Sequence, residues 1–206
     1  ANGIFPMSDA RDDPDTFWIE PEYRAILPLE GFRLSKSLAK TIRQGRFTVT
    51  VDTAFAQVIA TCAESQDDRR DTWINPDIED SFRELHERGR AHSVECWADG
   101  RLVGGLYGLA MGRAFFGESM FSRETDASKV ALAWLVARLK IGGFELLDCQ
   151  FMTDHLASLG AIEITQSAYL NLLESALTRA VQASSGLASS PAAAGSAGAD
   201  WGALDG

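Results

Sequence analysis

The feature that most constrains the fold is a run of three strand-like stretches, at residues 91–97, 101–110 and 114–122. Asp99 and Gly100 separate the first two stretches, and this pair favours a two-residue hairpin turn because both positions tolerate a positive φ. Strands joined by such short loops pair antiparallel. The chain is therefore expected to form an antiparallel sheet, against which its other segments must pack.

Helical patterns lie on both sides of these strands in the sequence. Helices are expected at residues 35–45 with Ser35 as N-cap, at residues 53–64, at residues 76–88 ended by Gly89, at residues 130–141 with Ser128 as N-cap, and from Thr165 onward. Further strands are expected at residues 47–51 and 144–151. The helix at 130–141 is apolar on nearly all sides, which is typical of a buried helix. This order predicts an α+β protein with a single, mostly antiparallel sheet flanked by helices, a class compatible with the GNAT-type acyltransferase fold.

The ends of the chain differ from its middle. Its 206 residues suit one medium domain with small additions. Residues 1–25 are rich in proline and acidic side chains, and we expect them to be the remnant of a small N-terminal domain, because the chain begins without an initiator Met. Residues 26–180 are expected to form the main domain. Residues 181–206 are rich in Ala, Ser and Gly, which predicts a disordered tail.

Composition excludes several classes of protein. No stretch of about 18 uninterrupted apolar residues is present, so a membrane-spanning helix is not expected. The cysteines, Cys62, Cys96 and Cys149, are odd in number and lie in apolar runs, which indicates free thiols. No CxxC or HExxH spacing occurs, and a zinc site is disfavoured.

The charge of the chain is unevenly distributed. Its net charge of -10 argues against indiscriminate binding to nucleic acid. Residues 31–50 nevertheless contain no acidic side chain and five basic ones, namely Arg33, Lys36, Lys40, Arg43 and Arg46, which we call the basic strip. Their spacing of three or four residues predicts one helical flank. The strip is either a solvated helix face or a surface that follows a phosphate backbone.

Two acidic residues, Asp148 and Glu118, lie in apolar stretches of the sequence. Asp148 and Gln150 are two apart in a predicted strand, and the period of two places both side chains on one side of it. Burying them is costly without partners, so they are either a satisfied polar pair or a reactive one. Glu118 lies within the aromatic run 115–121 and likewise needs a partner.

A series of short motifs follows in order over nearly all of residues 1–175. They are Gly3-Ile4-Phe5-Pro6, Thr72-Trp73-Ile74, Leu85-His86, Gly89-Arg90-Ala91-His92-Ser93-Val94-Glu95-Cys96-Trp97, Val103-Gly104-Gly105-Leu106-Tyr107-Gly108, Phe116-Gly117-Glu118-Ser119-Met120-Phe121-Ser122, Ala127-Ser128-Lys129, Asp148-Cys149-Gln150, Asp154-His155 and Ala157-Ser158-Leu159-Gly160-Ala161. As a series they resemble the leucyl/phenylalanyl-tRNA–protein transferase family. The family's N-terminal segment has no counterpart here, so we expect the chain to be a fragment of a gene product.

The resemblance implies a reaction. Leu or Phe, and Met less well, moves from the 3′ end of an aminoacyl-tRNA to the N-terminal amine of a protein that begins with Arg or Lys, which marks that protein for N-degron degradation. The ester is already activated, so no cofactor, metal or covalent enzyme intermediate is expected. The protein must align amine and carbonyl, help to remove a proton and stabilise the oxyanion. A cytoplasmic location is implied, and a monomer is the default.

The resemblance also implies roles for individual residues. Asp148 and Gln150 match a proton-relay pair, in which Gln150 accepts a hydrogen bond from the attacking amine, and Glu118 matches an active-site carboxylate near the terminal adenosine. The aminoacyl pocket is lined by Leu106, Phe115, Leu132, Leu135, Leu139 and Leu147. Trp73 stacks on the terminal adenine. Met7 stands where the family usually has a second stacking Trp, and the basic strip contacts the acceptor stem.

Two other interpretations stay open. One is a GNAT-type N-acetyltransferase that uses acetyl-CoA. Its pyrophosphate loop has no match here, because residues 101–106 fail at the last position of that motif and lie in a predicted strand. The other is a non-catalytic tRNA-binding fragment, in which the truncation or the change at Met7 has cost the activity.

Overall fold

The architecture is taken from a computed structural model, which describes residues 3–64 and 72–187, with side chains to residue 178. The strands are β1 (Phe5–Met7), β2 (Phe17–Ile19), β3 (Tyr23–Ile26), β4 (Thr48–Val51), β5 (Ala91–Ala98), β6 (Arg101–Met111), β7 (Ala114–Ser122), β8 (Leu146–Gln150) and β9 (Ile162–Thr165). The α-helices are α1 (Lys36–Arg43), α2 (Phe55–Cys62), α3 (Pro76–Glu87), α4 (Ala127–Ile141), α5 (Asp154–Ser158) and α6 (Gln166–Leu187), and a 3-10 turn spans Leu29–Gly31.

The chain divides into two compact units. The first consists of Ala1–Pro21, Ser35–Leu109 and Glu118–Leu132, and the second of Glu22–Leu34, Ala110–Gly117 and Ala133–Gly206. Both units therefore take residues from the hairpin formed by β6 and β7.

The first unit is built on antiparallel strands. Its strand order is β4-β5-β6-β7, with antiparallel pairing of β4 to β5 and of β5 to β6. Asp99 has a φ of 50° and Gly100 a φ of 73°, which confirms the predicted hairpin turn. Helices α2 and α3 supply Val58, Ile59 and Phe82 to a core that also contains Tyr107 of β6. Each large apolar side chain buried in this way contributes roughly 1.5–3 kcal/mol.

The second unit contains a parallel pair of strands. Its strand order is β6-β7-β8-β3-β9; β3 is antiparallel to β8 and β9, whereas β7 and β8 are parallel. A parallel pair requires a crossover connection, and the α4 segment between β7 and β8 supplies it. The prediction of an α+β protein with a mostly antiparallel sheet flanked by helices is confirmed, with β7 and β8 as a parallel pair. The expectation of a single sheet needs correction, because β1 and β2 pair with each other in a separate two-stranded sheet.

Several predicted helix ends are found where the sequence places them. Ser35 caps α1 by accepting a hydrogen bond from the Leu38 amide, and Gly89, with a φ of 66°, follows α3. The prediction for the start of α4 is wrong by three positions, because the helix begins at Ala127 and Ser128 lies inside it. The amide of Ser128 instead donates to the Ser122 hydroxyl at 3.2 Å.

The predicted domains stay predictions, and secondary structure runs across both of their predicted boundaries. The boundary between residues 25 and 26 falls inside β3, whose pairing with β8 and β9 incorporates residues 23–26 into the second unit. At the other end α6 continues to Leu187, so the first residues of the predicted tail are helical. Residues such as Ala180 and Ala183 favour helix, and each residue added to a helix needs no new nucleation. Residues 188–206 of the predicted tail lie outside the described residues.

The short elements β1, β2, β3, β9 and α5 are absent from the sequence-based prediction. Each has three to five residues, which is too short for a periodic pattern to stand out. Within the described residues, no helix combines the length and the apolarity needed to cross a membrane.

Candidate active site

Asp148 lies on β8 with none of its surface exposed, and its charge is paired inside the second unit. The guanidinium of Arg24, from the adjacent strand β3, donates from Nε to Oδ1 at 2.9 Å and from Nη2 to Oδ2 at 2.6 Å. Arg24 is itself only 2% exposed. An ion pair of this kind offsets the large cost of burying either charge alone. Asp148 is therefore a satisfied polar group, one of the two alternatives raised by the sequence.

Tyr169 of α6 completes the surroundings of Asp148. Its hydroxyl donates to Asp148 Oδ2 at 2.7 Å, and the Arg24 guanidinium carbon lies 4.8 Å from the centre of its ring. Burial raises the pKa of the Tyr169 hydroxyl well above its usual value, and the Asp148 charge raises it further. The hydroxyl therefore remains protonated and acts as a hydrogen-bond donor.

Sequence reasoning missed Arg24 and Tyr169, although a signal for Arg24 was present. Arg24 directly precedes the apolar residues 25–27, and a charge in such a setting requires a partner. The sequence did not indicate which partner, because 124 positions separate Arg24 from Asp148.

Gln150 has a backbone conformation that the strand pattern does not predict. Its φ is 62°, in the left-handed region that non-glycine residues seldom occupy, and its amide donates to Asp148 Oδ1 at 2.8 Å. The regular alternation of side chains holds for extended backbone and ends at this residue. Asp148 is fully buried, and the proton-relay role of Asp148 and Gln150 stays a prediction. Gln150 retains 6% exposure.

Cys149 lies between these two residues but is not suited to nucleophilic chemistry. Burial raises the pKa of its thiol to about 12, and the Asp148 charge acts in the same direction. All three cysteines are free thiols, as the sequence predicts. At neutral pH Cys149 is therefore an uncharged side chain.

The residues proposed for the aminoacyl pocket are all buried. Leu106, Phe115, Leu132, Leu135, Leu139 and Leu147 are each exposed by 2% or less. In the second unit, Phe115 of β7 is opposite Leu147 of β8 in the parallel register, and Phe116 is opposite Asp148. Phe115 and Leu147 thus share one face of the strand pair and Asp148 lies on the other. Burial of this degree is typical of core residues, so the role of these six residues in lining an aminoacyl pocket stays a prediction.

The first unit brings together the two residues proposed to stack on adenine. The amide of Ser8, next to Met7, donates to the carbonyl oxygen of Trp73 at 3.2 Å. Trp73 packs partly against the core of this unit, and both Trp73 and Met7 keep partial exposure. Glu118, on β7, is also half-buried.

The basic strip is only partly helical. Helix α1 ends at Arg43, so Lys36, Lys40 and Arg43 share one of its flanks, whereas Arg33 and Arg46 lie outside it. The prediction of one helical flank is therefore corrected from five residues to three. Arg46 pairs with Glu124 at 3.0 Å. Lys36, Lys40 and Arg43 are exposed, and within the described part of the chain they make no ion pair.

No metal centre is evident in the part of the chain that the structure describes. Among residues 3–64 and 72–187, no group of three or more His, Cys, Asp or Glu side chains is arranged to hold a metal ion.

Comparison with known proteins identifies the family. A family model described as leucyl/phenylalanyl-tRNA protein transferase matches residues 26–174. A leucyl/phenylalanyl-tRNA–protein transferase of Rhizorhabdus wittichii is 65% identical over 175 residues, 85% of this chain and 71% of the relative. One of Novosphingobium aromaticivorans is 64% identical over 84% of this chain and 66% of the relative. The chain thus spans about two thirds of the length of these relatives.

One solved structure, that of L-PGS from Bacillus licheniformis, is similar at 16% identity with a TM-score of 0.45, over 66% of this chain and 49% of that one. Likeness of this size assigns neither fold nor ligand. The family model and the relatives define an enzyme of the aminoacyltransferase class. The chain belongs to the leucyl/phenylalanyl-tRNA–protein transferase family.

Proposed function

We propose that the protein transfers Leu or Phe, and Met less well, from aminoacyl-tRNA to the N-terminal Arg or Lys of acceptor proteins, which marks them for N-degron degradation. The observation that carries the proposal is the family match over residues 26–174, together with relatives more than 60% identical. The same resemblance supports a GNAT-like catalytic domain, a cytoplasmic location and a monomeric state as parts of the proposal.

The reaction needs little from the protein beyond alignment and polar contacts. The neutral amine nitrogen attacks the ester carbonyl, a C–N bond forms, the C–O bond to the terminal ribose breaks, and the proton that the amine loses ends on the ribose oxygen. The side-chain oxygen of Gln150 accepts a hydrogen bond from the attacking amine and orients it. Glu118 serves as a hydrogen-bond acceptor for the terminal adenosine end of the tRNA.

Binding of the tRNA is assigned to the first unit. Trp73 stacks on the terminal adenine, and the hydrogen bond from Ser8 to Trp73 keeps Met7 close enough to pack on the same base. Lys36, Lys40 and Arg43 present three positive charges on one side of α1 to the acceptor-stem phosphates. Leucine and phenylalanine side chains enter an apolar pocket, which excludes side chains branched at Cβ by shape.

The test is a transfer assay with the full-length protein, Leu-tRNA labelled on the amino acid, and a peptide that begins with Arg. We expect label to appear on the peptide, and a matched peptide that begins with Gly to stay unlabelled. Transfer from acetyl-CoA with none from Leu-tRNA would replace this function by an N-acetyltransferase. Binding of Leu-tRNA without any transfer would support the non-catalytic binder.

A further inference from the structure

We propose that Arg24 and Tyr169 are positioning residues for the transfer reaction, which act through the Asp148 carboxylate on the backbone of Gln150. This inference rests on the proposed function. It assigns a role to two buried side chains that the proposed chemistry does not otherwise use.

The first step of the argument is that the Asp148 carboxylate has no acceptor capacity left. An ionised carboxylate offers about four lone-pair positions. Oδ1 accepts from Arg24 Nε at 2.9 Å and from the Gln150 amide at 2.8 Å, and Oδ2 accepts from Arg24 Nη2 at 2.6 Å and from the Tyr169 hydroxyl at 2.7 Å. Asp148 therefore does not take up the proton of the attacking amine, which passes to the ribose oxygen.

The second step concerns the route from Asp148 to Gln150. The hydrogen bond between them uses the Gln150 amide, and Gln150 has a φ of 62°. A non-glycine residue in this region is strained and persists only where its surroundings hold it. Asp148 holds it, and the direction of the Gln150 carboxamide depends on that backbone conformation. Asp148 thus acts on the reaction through the peptide chain.

The third step explains why an ion pair occupies this place. Apolar residues of similar volume often replace a buried ion pair with no loss of stability, so the pair is weak evidence for a stabilising role. A bidentate guanidinium instead fixes the plane of the carboxylate, because its donors diverge in a set geometry. The Tyr169 hydroxyl fixes the second oxygen from helix α6. Strands β3 and β8 and helix α6 together determine where the Gln150 amide is held.

The experiment compares Tyr169→Phe with wild type in the labelled Leu-tRNA assay, using the full-length protein. Loss of one hydrogen bond to a charged group is expected to lower kcat about tenfold, with KM for Leu-tRNA changed by less than about twofold. The matched control is Tyr107→Phe, which removes the hydroxyl of another fully buried tyrosine. Tyr107 points away from Leu106 and packs edge-on against Phe55 and Phe82, so its variant is expected to keep wild-type kcat.

A double-mutant cycle separates positioning from general loss of packing. In an Asp148→Asn background, Tyr169→Phe is expected to lower kcat by less than about twofold further, because both changes interrupt the same route. Arg24→Lys keeps the charge without the bidentate contact and is expected to retain more kcat than Arg24→Met. If Arg24→Met does not fold, the double-mutant cycle of Tyr169→Phe and Asp148→Asn still tests the positioning role.

The outcomes distinguish the two proposals. Unchanged kcat in Tyr169→Phe, or full additivity with Asp148→Asn, overturns the positioning role while the proposed function stands. A parallel loss of kcat and thermal stability in Tyr169→Phe and Tyr107→Phe also overturns it, because both then report packing. Absence of transfer by the wild-type protein removes the proposed function and this inference with it.

Discussion

Residues buried around Asp148 illustrate how the surroundings decide what a side chain does. Arg24 and Asp148 are almost wholly removed from water, and each supplies the hydrogen bonds that the other needs. Cys149, one residue away, is kept as a neutral thiol by its burial. Of the residues 148–150, only Gln150 combines a side chain able to accept a hydrogen bond from an amine with some exposure.

Replacement of Trp73 by Ala is expected to weaken binding of Leu-tRNA. Stacking of an aromatic side chain on a base contributes about 1–3 kcal/mol, so Kd is expected to rise roughly fivefold to more than a hundredfold. Filter binding with labelled Leu-tRNA measures the change. Trp134→Ala is the control, because Trp134 is 48% exposed on α4 and is not assigned to tRNA binding. An equal loss in both variants would contradict the stacking role.

The raised pKa values of two cysteine thiols predict a loss of stability at alkaline pH. Burial raises the pKa of Cys96 and of Cys149 from 9.0 to about 12 in the folded protein. Above pH 9 the unfolded chain therefore releases thiol protons that the folded chain keeps, and the free energy of unfolding falls as the pH rises toward 12.

Urea denaturation of wild type at pH 8, 9 and 10 measures this fall. The double variant Cys96→Ala, Cys149→Ala is expected to show a shallower dependence on pH, whatever its stability at pH 8. If the free energy of unfolding falls equally with pH in the two proteins, the thiols are not the cause of the fall.

At the scale of elements, the turn between α5 and β9 depends on the close approach of two backbone segments. Gly160 has a φ of 104°, and a Cβ atom placed there would lie 2.3 Å from the carbonyl oxygen of Gly31. Gly143, after α4, has a φ of 72° with nothing within 4 Å of such an atom. The two glycines share a positive φ and differ in the space around them.

Gly143→Ala is expected to lower the free energy of unfolding by about 1–2 kcal/mol, the cost of the left-handed conformation alone. Gly160→Ala adds a clash with backbone and is expected to cost at least about 2 kcal/mol more. Chemical denaturation of both variants measures the difference. Equal losses would mean that the turn relaxes away from Gly31.

At the scale of the whole molecule, charge is separated along the chain. The protein carries a net charge of -10, yet α1 contains basic residues and no acidic one. Replacing Lys36, Lys40 and Arg43 by Ala is expected to weaken tRNA binding and to flatten the plot of log Kd against log salt concentration. Each phosphate contact contributes about 0.9 to the slope in duplex nucleic acid, so three contacts account for up to about 2.7.

The control for this change removes the same charge elsewhere. Arg88, Arg101 and Arg123 are exposed but are paired with Glu84, Glu124 and Glu64. Their triple Ala variant is expected to keep the wild-type salt slope. The same slope in both triple variants would remove α1 from the binding surface.

Local sequence patterns determine much of the architecture. The hairpin at Asp99 and Gly100, the cap at Ser35 and the long strands β5 to β7 are determined by residues close to one another in sequence. Steric limits on φ and the periods of helix and strand act over a few residues, and sequence therefore reveals them. The family motifs, read in order, identified the family in the same way.

Local patterns do not predict the hydrogen-bonded cluster of Arg24, Asp148 and Tyr169, because these residues are distant in sequence. Arg24 meets Asp148 across 124 positions, and Tyr169 joins them from a helix 21 positions further on. Which charge pairs with which depends on the register of β3 against β8 and on the packing of α6, and no local pattern encodes either. Local sequence thus decided the elements and the family, whereas tertiary structure decided that Asp148 is enclosed and that Gln150 is turned out of the strand pattern. The reason is that burial and hydrogen bonding are collective properties of the folded chain.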